Sequence, residues 1–268
     1  MRLQACVIQC TNSCPYNCNY CYTEKGDRYI SLDVVKEILN LPQTKDVEVV
    51  QITGGEPLMH EDLSLLIKEC KGNRRFVFLA TSGYNHSREK YSELKKNGLD
   101  VLCISMNDID KSINSLTRDT YDIGMAAIKD ACDVGVLCCA NVVLSDQNID
   151  NFEKLSQYLV NIGVKKIDIL RPVKSFSGIY SPTISTHTIQ RIQNIIAKNP
   201  SLYRIEKCFK EYWEYTTNSE FRCLDIGESA IFINVDGTIS PCSKLQKWRY
   251  RTIEEMKENE HEWKMGCR

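Results

Sequence analysis

The sequence predicts an α/β fold built on a parallel sheet, because strand patterns and helix patterns alternate along most of the chain. Short apolar runs typical of buried strands occur at Leu3–Gln9, Val47–Ile52, Phe76–Ala80, Val101–Ser105, Val136–Leu144 and Lys166–Leu170. Amphipathic helical patterns separate these runs at Leu32–Asn40, Glu61–Lys71, Glu89–Asn97, Asp119–Val134 and Ile149–Ile162. A succession of six such units favours parallel strands joined by right-handed crossovers.

The predicted helices begin and end at residues suited to helix termini. Ser31 precedes the first helix, where its hydroxyl can accept a hydrogen bond from an otherwise unpaired backbone N–H group. Gly98, Gly135 and Gly163 follow three other helices, at the position where a left-handed residue ends many helices. The helix assignments therefore depend on local backbone chemistry as well as on periodicity.

Composition and charge limit the classes of partner. The chain has 268 residues, 43% hydrophobic and 26% charged, and 34 basic residues balance 35 acidic ones to a formal net charge of −1. This balance gives no electrostatic reason to expect nucleic acid or an anionic membrane as a partner. No signal peptide opens the chain, and no apolar run approaches the roughly 18–20 residues of a membrane span. With 14 cysteines and no secretion signal, the predicted location is the reducing cytoplasm.

Three cysteines on one short loop form the most informative motif. Cys14, Cys18 and Cys21 follow a C-x3-C-x2-C spacing directly after the first predicted strand. A structural zinc ion takes four ligands, and a cubane iron–sulfur cluster is normally held by four thiolates. A three-thiolate loop would leave one iron of such a cluster free for a ligand that is not protein. A non-catalytic metal site and a redox-active thiol loop are the alternatives.

With Tyr20 directly before the third cysteine, this loop resembles the cluster-binding loop of the radical S-adenosylmethionine (SAM) superfamily. The resemblance implies that Cys14, Cys18 and Cys21 hold a [4Fe–4S] cluster whose free iron chelates SAM. An external electron donor of flavodoxin or ferredoxin type would supply one electron. SAM would then be cleaved to methionine and a 5′-deoxyadenosyl radical that abstracts hydrogen from a substrate C–H bond. The implied fold is a partial (β/α)6 TIM-like barrel, which matches the six predicted units.

A second motif follows the second predicted strand, as Gly54, Gly55, Glu56 and Pro57. Two glycines allow the backbone to approach a ligand closely, and Pro57 stiffens the turn. In the superfamily that the cysteine loop resembles, a turn of this sequence meets the amino group of SAM, which suits the carboxylate of Glu56. The alternative is an ordinary turn that leads into the next helix.

Polar residues follow the remaining strands, at the strand ends where barrels of this type place their active sites. The resemblance makes five of them candidates for contact with SAM: Ser82, Ser105, Asn107, Asn141 and Arg171. Each could equally be a satisfied strand-end polar group, so the prediction depends on their shared location. Strand alternation would place Cys103 and Cys139 on the same inner face as Ser105 and Asn141. A thiol there could return a hydrogen atom to a substrate radical, although plain packing is the alternative.

The C-terminal part contains a further cysteine pattern. Cys223, Gly237 and Cys242 follow a C-x13-G-x4-C spacing, which resembles the start of the SPASM and Twitch extensions of radical SAM enzymes. Asp236 and Gly237 predict a hairpin turn between strands at Ala230–Ile233 and Ile239–Pro241. The expected organisation is a radical SAM core at residues 1–200 and a small β-hairpin and helix extension at residues 201–268.

The resemblance implies a second, auxiliary [4Fe–4S] cluster held by Cys223, Cys242 and Cys267. The pattern departs from a Twitch domain, which continues with a C-x2-C pair, whereas one residue follows Cys267 here. Three interpretations stay open: a shortened terminus, an iron left open for substrate, or a fourth ligand from Cys208 or a non-cysteine group. A region that holds no iron is the remaining alternative.

Radical SAM enzymes with such extensions often modify ribosomally made peptides by crosslinking, thioether formation or epimerisation, and this is the expected function. The first strand begins at Leu3 and leaves no room for an N-terminal leader-binding domain, which weakens the peptide interpretation. A separate leader-peptide-binding protein could supply that function instead. The alternatives are a dehydrogenase or isomerase of small molecules such as amino sugars, and an activase that matures another protein. A sensor that binds SAM and an iron–sulfur cluster without catalysis is a fourth possibility.

Overall fold

The computed structural model alternates strands and helices as the sequence predicts. The structure describes residues 3–72, 74–173, 175–176, 184–206, 209 and 227–264. The first six strands are β1 Ala5–Thr11, β2 Val49–Gly54, β3 Phe76–Thr81, β4 Val101–Ser105, β5 Leu137–Val143 and β6 Lys166–Leu170. Three shorter strands follow as β7 Tyr203–Ile205, β8 Ala230–Ile233 and β9 Ile239–Ser240.

Helices connect the strands on one side of the sheet. Those that follow β1 to β6 are α1 Leu32–Leu39, α2 Leu63–Lys71, α3 Arg88–Lys96, α4 Lys111–Ser115, α5 Tyr121–Asp133, α6 Phe152–Asn161 and α7 Thr186–Lys198. Two short helices follow β9, α8 Ile253–Glu258 and α9 Glu260–Trp263. Ser31 caps α1 as expected, because its side chain accepts a hydrogen bond from the backbone of Val34 at 3.3 Å. Sequence periodicity missed α4, which is too short to show a clear pattern.

The sheet confirms the predicted α/β fold class. Its nine strands lie in the order β7-β6-β5-β4-β3-β2-β1-β8-β9, and neighbouring pairs from β7 to β8 are parallel. Within the described residues the sheet curls without closing, which agrees with the expected partial barrel. One face packs its alternate residues, such as Ile8, Ile52 and Leu79, into the core beneath the helices. The opposite face lines a cavity.

The predicted C-terminal hairpin is present, and it extends the main sheet. β8 and β9 pair antiparallel, and Gly237 adopts the left-handed backbone conformation at the turn, with φ of 82°. β8 also pairs in parallel with β1, in register from Ala5 with Ala230 to Ile8 with Ile233. β1 is therefore covered on both sides, and the chain beyond residue 200 shares one sheet with the chain before it. In the part of the chain that the structure describes, no helix has the length and apolar character needed to cross a membrane.

Candidate functional site

A cavity of about 540 Å³ lies inside the curled sheet, at the carboxyl ends of its strands. Its volume falls within the roughly 300–1,000 Å³ that is usual for small-molecule sites. Most of the residues predicted from sequence line it: Cys14, Cys18, Tyr20, Cys21, Gly54, Gly55, Ser82, Ser105, Asn141 and Arg171. Folding thus brings strand ends that are far apart in sequence to one surface, as expected for parallel strands whose carboxyl ends meet at one edge.

The cysteine loop forms one rim of this cavity. Cys14, Cys18 and Cys21 are all half-buried, and the backbone N–H of Cys21 donates to the carbonyl of Cys18 at 3.1 Å. Among the described residues, no three His, Cys, Asp or Glu side chains converge as ligands of a single metal ion. A zinc site needs such convergence, whereas the thiolates of a cubane cluster bind separate irons. The three thiolates on this loop are donors of the kind that a cubane cluster takes.

The glycine turn after β2 is hydrogen-bonded to the start of the cysteine loop. The N–H of Gly55 donates to the carbonyl of Thr11 at 2.6 Å, and that of Glu56 donates to the carbonyl of Ser13 at 2.8 Å. A Cβ atom on Gly54 would lie 2.4 Å from the Thr11 oxygen, and one on Gly55 would lie 2.2 Å from the Ser13 oxygen. The sequence interpretation assigned these glycines to close approach of a ligand. In the structure, the close approach is first to the chain's own backbone.

Glu56, a candidate for contact with SAM in the sequence analysis, does not line the cavity in this structure. The side chain is 1% exposed and accepts hydrogen bonds from the Leu58 backbone at 2.9 Å, from Thr81 Oγ1 at 2.5 Å and from the Ser82 backbone at 2.8 Å. The Ser82 hydroxyl also donates to it. A carboxylate has about four lone-pair sites, so these donors occupy its capacity. Glu56 and the buried Pro57 thus stabilise the turn from behind the cavity wall, and contact between Glu56 and the SAM amino group stays a prediction.

Asn107, like Glu56 and Pro57, is a predicted site residue that does not line the cavity. It is 2% exposed, and its Nδ2 donates to the Tyr20 hydroxyl at 3.2 Å and to Thr117 Oγ1 at 2.9 Å. Its Oδ1 accepts from the backbone of Val143 at 3.0 Å. Burial raises the pKa of Tyr20 to about 12, so the phenol stays neutral. Asn107 therefore fixes the cysteine loop to β5 through Tyr20, and its contact with SAM stays a prediction.

Arg118 lines the cavity beside the cysteine loop, and sequence reasoning missed it. The residue is 8% exposed, and its Nη2 lies 3.7 Å from the Sγ of Cys18. Its Nε and Nη1 have no hydrogen-bond partner among the described residues. Burial lowers the pKa of Arg118, but Tyr20 and Cys18 outweigh this effect, so the pKa lies above its usual range. A buried, charged guanidinium with free donors is a site for an anionic group.

Two ion pairs also line the cavity. Arg204 donates through Nε to Asp168 at 2.8 Å, and its Nη2 pairs with the other carboxylate oxygen. Its guanidinium lies 5.1 Å from the centre of the Phe78 ring. Lys244, from the segment after β9, pairs with Glu206 at 2.7 Å. The C-terminal part therefore contributes directly to this cavity, and acidic partners neutralise both cations.

The proposed ligands of a second cluster fall mainly outside the described residues. Cys208, Cys223 and Cys267 lie there, and nothing in the structure bears on them. Cys242 is described and follows β9, half-buried, with its Sγ 3.5 Å from the backbone nitrogen of Lys244. The auxiliary cluster stays a prediction.

The sequence match now identifies the family. Residues 8–159, more than half of the chain, match the radical SAM superfamily. The chain belongs to this superfamily, and membership implies a [4Fe–4S] cluster and SAM as cofactors. The matched segment includes the cysteine loop, the glycine turn and Arg118.

Two curated relatives illustrate the range of similar sequences. A "Probable GTP 3′,8-cyclase" of Saccharolobus islandicus is 29% identical over 170 residues, which covers 61% of this chain and 55% of the relative. A "PqqA peptide cyclase" of Streptomyces rochei is 27% identical over 169 residues, covering 61% of this chain and 46% of the relative. The chain thus spans about half the length of the curated relatives it matches.

Solved structures share the fold over most of the chain. SuiB of Streptococcus suis bound to precursor peptide SuiA aligns with a TM-score of 0.75 at 17% identity, covering 91% of this chain and 60% of SuiB. The enzyme anSMEcpe with bound AdoMet and the Kp18Cys peptide aligns with a TM-score of 0.68 at 18% identity. The alignment covers 95% of this chain and 79% of anSMEcpe. At these identities the likeness concerns the fold.

Proposed function

We propose that this protein is a radical SAM enzyme that cleaves SAM reductively and abstracts a hydrogen atom from a C–H bond of a peptide. The observation that carries the proposal is a cavity lined by both the cysteine loop and the polar strand ends. Cys14, Cys18 and Cys21 would hold the [4Fe–4S] cluster, which when bound supplies the electron for SAM cleavage. The peptide would be modified by crosslinking, thioether formation or epimerisation.

Separate parts of the cavity wall would position SAM. Arg118 offers free donors to the SAM carboxylate next to Cys18. Ser105 and Asn141 are Cα partners on neighbouring strands that both line the cavity, and they would contact the nucleoside part of SAM. Glu56 and Asn107 would act indirectly, by holding the glycine turn and the cysteine loop in place.

The two ion pairs that line the cavity favour a peptide substrate over a nucleoside triphosphate. Arg204 and Lys244 each have a carboxylate partner, so neither presents its full charge to an anionic ligand. A triphosphate is bound best by cations that are not already neutralised. The relatives and neighbours named for peptides, including "PqqA peptide cyclase" and SuiB with its precursor peptide, support the same choice.

A small-molecule reaction is the second candidate, because the GTP 3′,8-cyclase relatives are as similar in sequence as the peptide cyclase. An isomerase or dehydrogenase of an amino sugar, or an activase that matures another protein, would use the same SAM site. The proposed partners of either enzyme include a flavodoxin- or ferredoxin-type electron donor. For a peptide substrate, a separate leader-peptide-binding protein is a further proposed partner.

The test is anaerobic turnover with SAM and reduced flavodoxin. We expect 5′-deoxyadenosine from the reconstituted protein and none from the Cys14→Ala, Cys18→Ala or Cys21→Ala variants. Cys132→Ala, a half-buried cysteine on α5 outside the cavity, is the matched control. The substrate class is tested in parallel reactions, one with peptides encoded by neighbouring genes and one with GTP. Mass spectrometry then shows which of these compounds changes mass. Conversion of GTP without any peptide mass change would contradict the peptide proposal.

A further inference from the structure

Two cysteines outside the cysteine loop face the cavity side of the sheet next to each other. Cys103 on β4 and Cys139 on β5 are Cα partners in neighbouring parallel strands. Each is 3% exposed, and they pack with Val101, Phe78 and Ala80 in a small cluster apart from the main core. Their placement on this face follows from strand alternation.

The thiol pair lies one layer below the proposed SAM site. Cys103 lines the same cavity as the cysteine loop, and Ser105 and Asn141 stand two residues further along the same strands. Two residues of strand span about 7 Å, so the thiols lie deeper in the cavity by about this distance. The neighbouring strand β6 contributes Asp168, and its ion-pair partner Arg204 comes from β7.

The spacing also permits a bond between the two sulfurs. Neighbouring strands lie about 4.8 Å apart, within the Cα separations of roughly 4.4–6.8 Å that a disulfide spans. A hydrogen bond between the side chains raises the pKa of Cys103 and lowers that of Cys139. Cys103 therefore keeps its S–H hydrogen, and Cys139 is the more acidic partner.

We propose that Cys103 is the hydrogen-atom donor of this cavity and quenches a carbon radical formed there, with Cys139 as its disulfide partner. The proposal rests on the proposed radical SAM function and makes it more specific. In the first step the S–H bond of Cys103 breaks homolytically and a C–H bond forms, which leaves a thiyl radical. The sulfur of Cys139 then gives up its proton to solvent and bonds to this thiyl radical.

The resulting disulfide radical anion gives one electron to an oxidised carrier of the ferredoxin or flavodoxin class. Over both steps the pair loses one hydrogen atom to carbon, one proton from Cys139 to solvent and one electron to the carrier. A dithiol reductant restores the two thiols. Such a donor replaces a carbon-bound hydrogen of the substrate by one from solvent, so epimerisation becomes the favoured peptide modification over a crosslink or a thioether.

The experiment needs no substrate. The reconstituted protein is incubated with SAM and partly reduced flavodoxin in D2O, where thiol hydrogens exchange for deuterium and carbon-bound hydrogens do not. We expect 5′-deoxyadenosine with one deuterium, because the radical takes it from Cys103. A Cys103–Cys139 disulfide should also appear in peptide mass spectra after alkylation.

Four variants separate the roles. Cys103→Ser and Cys103→Ala should lose the deuterium from whatever 5′-deoxyadenosine they form. Cys139→Ala should keep the deuterium and form no disulfide. Cys138→Ala is the matched control, because Cys138 is the adjacent residue and faces the helix-side core instead, so it should behave as the unmodified protein.

Two outcomes overturn the proposal. These are 5′-deoxyadenosine without deuterium from the unmodified protein, and equal deuterium from the Cys103 variants. A complete absence of 5′-deoxyadenosine from the unmodified protein would instead contradict the proposed function itself.

Discussion

At the scale of single residues, the site depends on side chains whose roles follow from burial. Arg118 and Glu56 are both charged and both enclosed, at 8% and 1% exposure. Their surroundings differ, because Glu56 has donors on all sides whereas Arg118 keeps two nitrogens without a partner among the described residues. An enclosed charge with satisfied partners supports structure, and one with free donors is available to a ligand.

The first prediction concerns Arg118. Arg118→Ala should weaken SAM binding at least about tenfold, since hydrogen bonds to a charged group are worth roughly 1.5–3 kcal/mol. The SAM affinity of Arg118→Lys should lie between those of the unmodified protein and Arg118→Ala, because lysine keeps the charge and loses the planar donor fork. Anaerobic isothermal titration with SAM measures both. Arg88→Ala, at an exposed position on α3, is the control, and unchanged SAM affinity in Arg118→Ala would refute the assignment.

The second prediction concerns Glu56. Glu56→Ala leaves the donors of Thr81 and Ser82 buried without an acceptor, and each such loss costs about 1–3 kcal/mol. We expect the free energy of unfolding to fall by about 2–4 kcal/mol in denaturant titrations. Glu61→Ala, at an exposed position, should change it little. Normal stability with lost SAM binding would show that Glu56 contacts SAM directly after all.

At the scale of elements, the cysteine loop and the glycine turn form one unit joined by backbone hydrogen bonds. Thr11 and Ser13 accept from the turn, and Asn107 attaches the loop to β5 through Tyr20. The loop that would hold the cluster is therefore positioned by three strands, and its geometry depends on contacts outside its own sequence.

The third prediction tests this junction. Gly55→Ala places a Cβ atom 2.2 Å from a backbone oxygen that cannot move aside easily, so the loop should shift and the iron content after reconstitution should fall. Gly124→Ala is the matched control. Its added Cβ lies 2.9 Å from the flexible end of Met106, and the nearest backbone atom, the Ser105 oxygen, is 3.3 Å away. Full iron content in Gly55→Ala would mean that the turn and the loop are positioned independently.

At the scale of the whole molecule, the two ends of the chain build one sheet and one cavity. β1 lies between β2 and β8, and Lys244 reaches the cavity wall from beyond β9. The region predicted to hold a second cluster is thus continuous with the SAM-binding core. An auxiliary cluster near Cys242 would lie close to the same cavity.

The fourth prediction is an iron count. With two [4Fe–4S] clusters the reconstituted protein should hold about eight irons per chain, and the Cys14/Cys18/Cys21→Ala triple variant should keep about four. Cys242→Ala should also reduce the total, by destabilising the second cluster only. A triple variant without iron would show that the C-terminal cysteines hold no cluster.

The sequence by itself determined the order of strands and helices and the cysteine loop. Local patterns predict these features: apolar runs, capping residues and the spacing of ligands within a few positions. The fold class could then be predicted from the order of the elements, since consecutive β–α units pack in parallel in only a few ways. The residues after each strand could be named as site candidates for the same reason.

Only the tertiary structure decided which candidates face the cavity. Glu56 and Asn107 follow the expected strands but do not line the cavity. Glu56 accepts a hydrogen bond from the Ser82 backbone after β3, and Asn107 donates one to Tyr20 in the cysteine loop. Arg118 meets Cys18 across 100 positions of sequence, and no local pattern marks it. Side-chain direction depends on contacts between distant segments, and those exist only once the sheet has curled and brought its strand ends together.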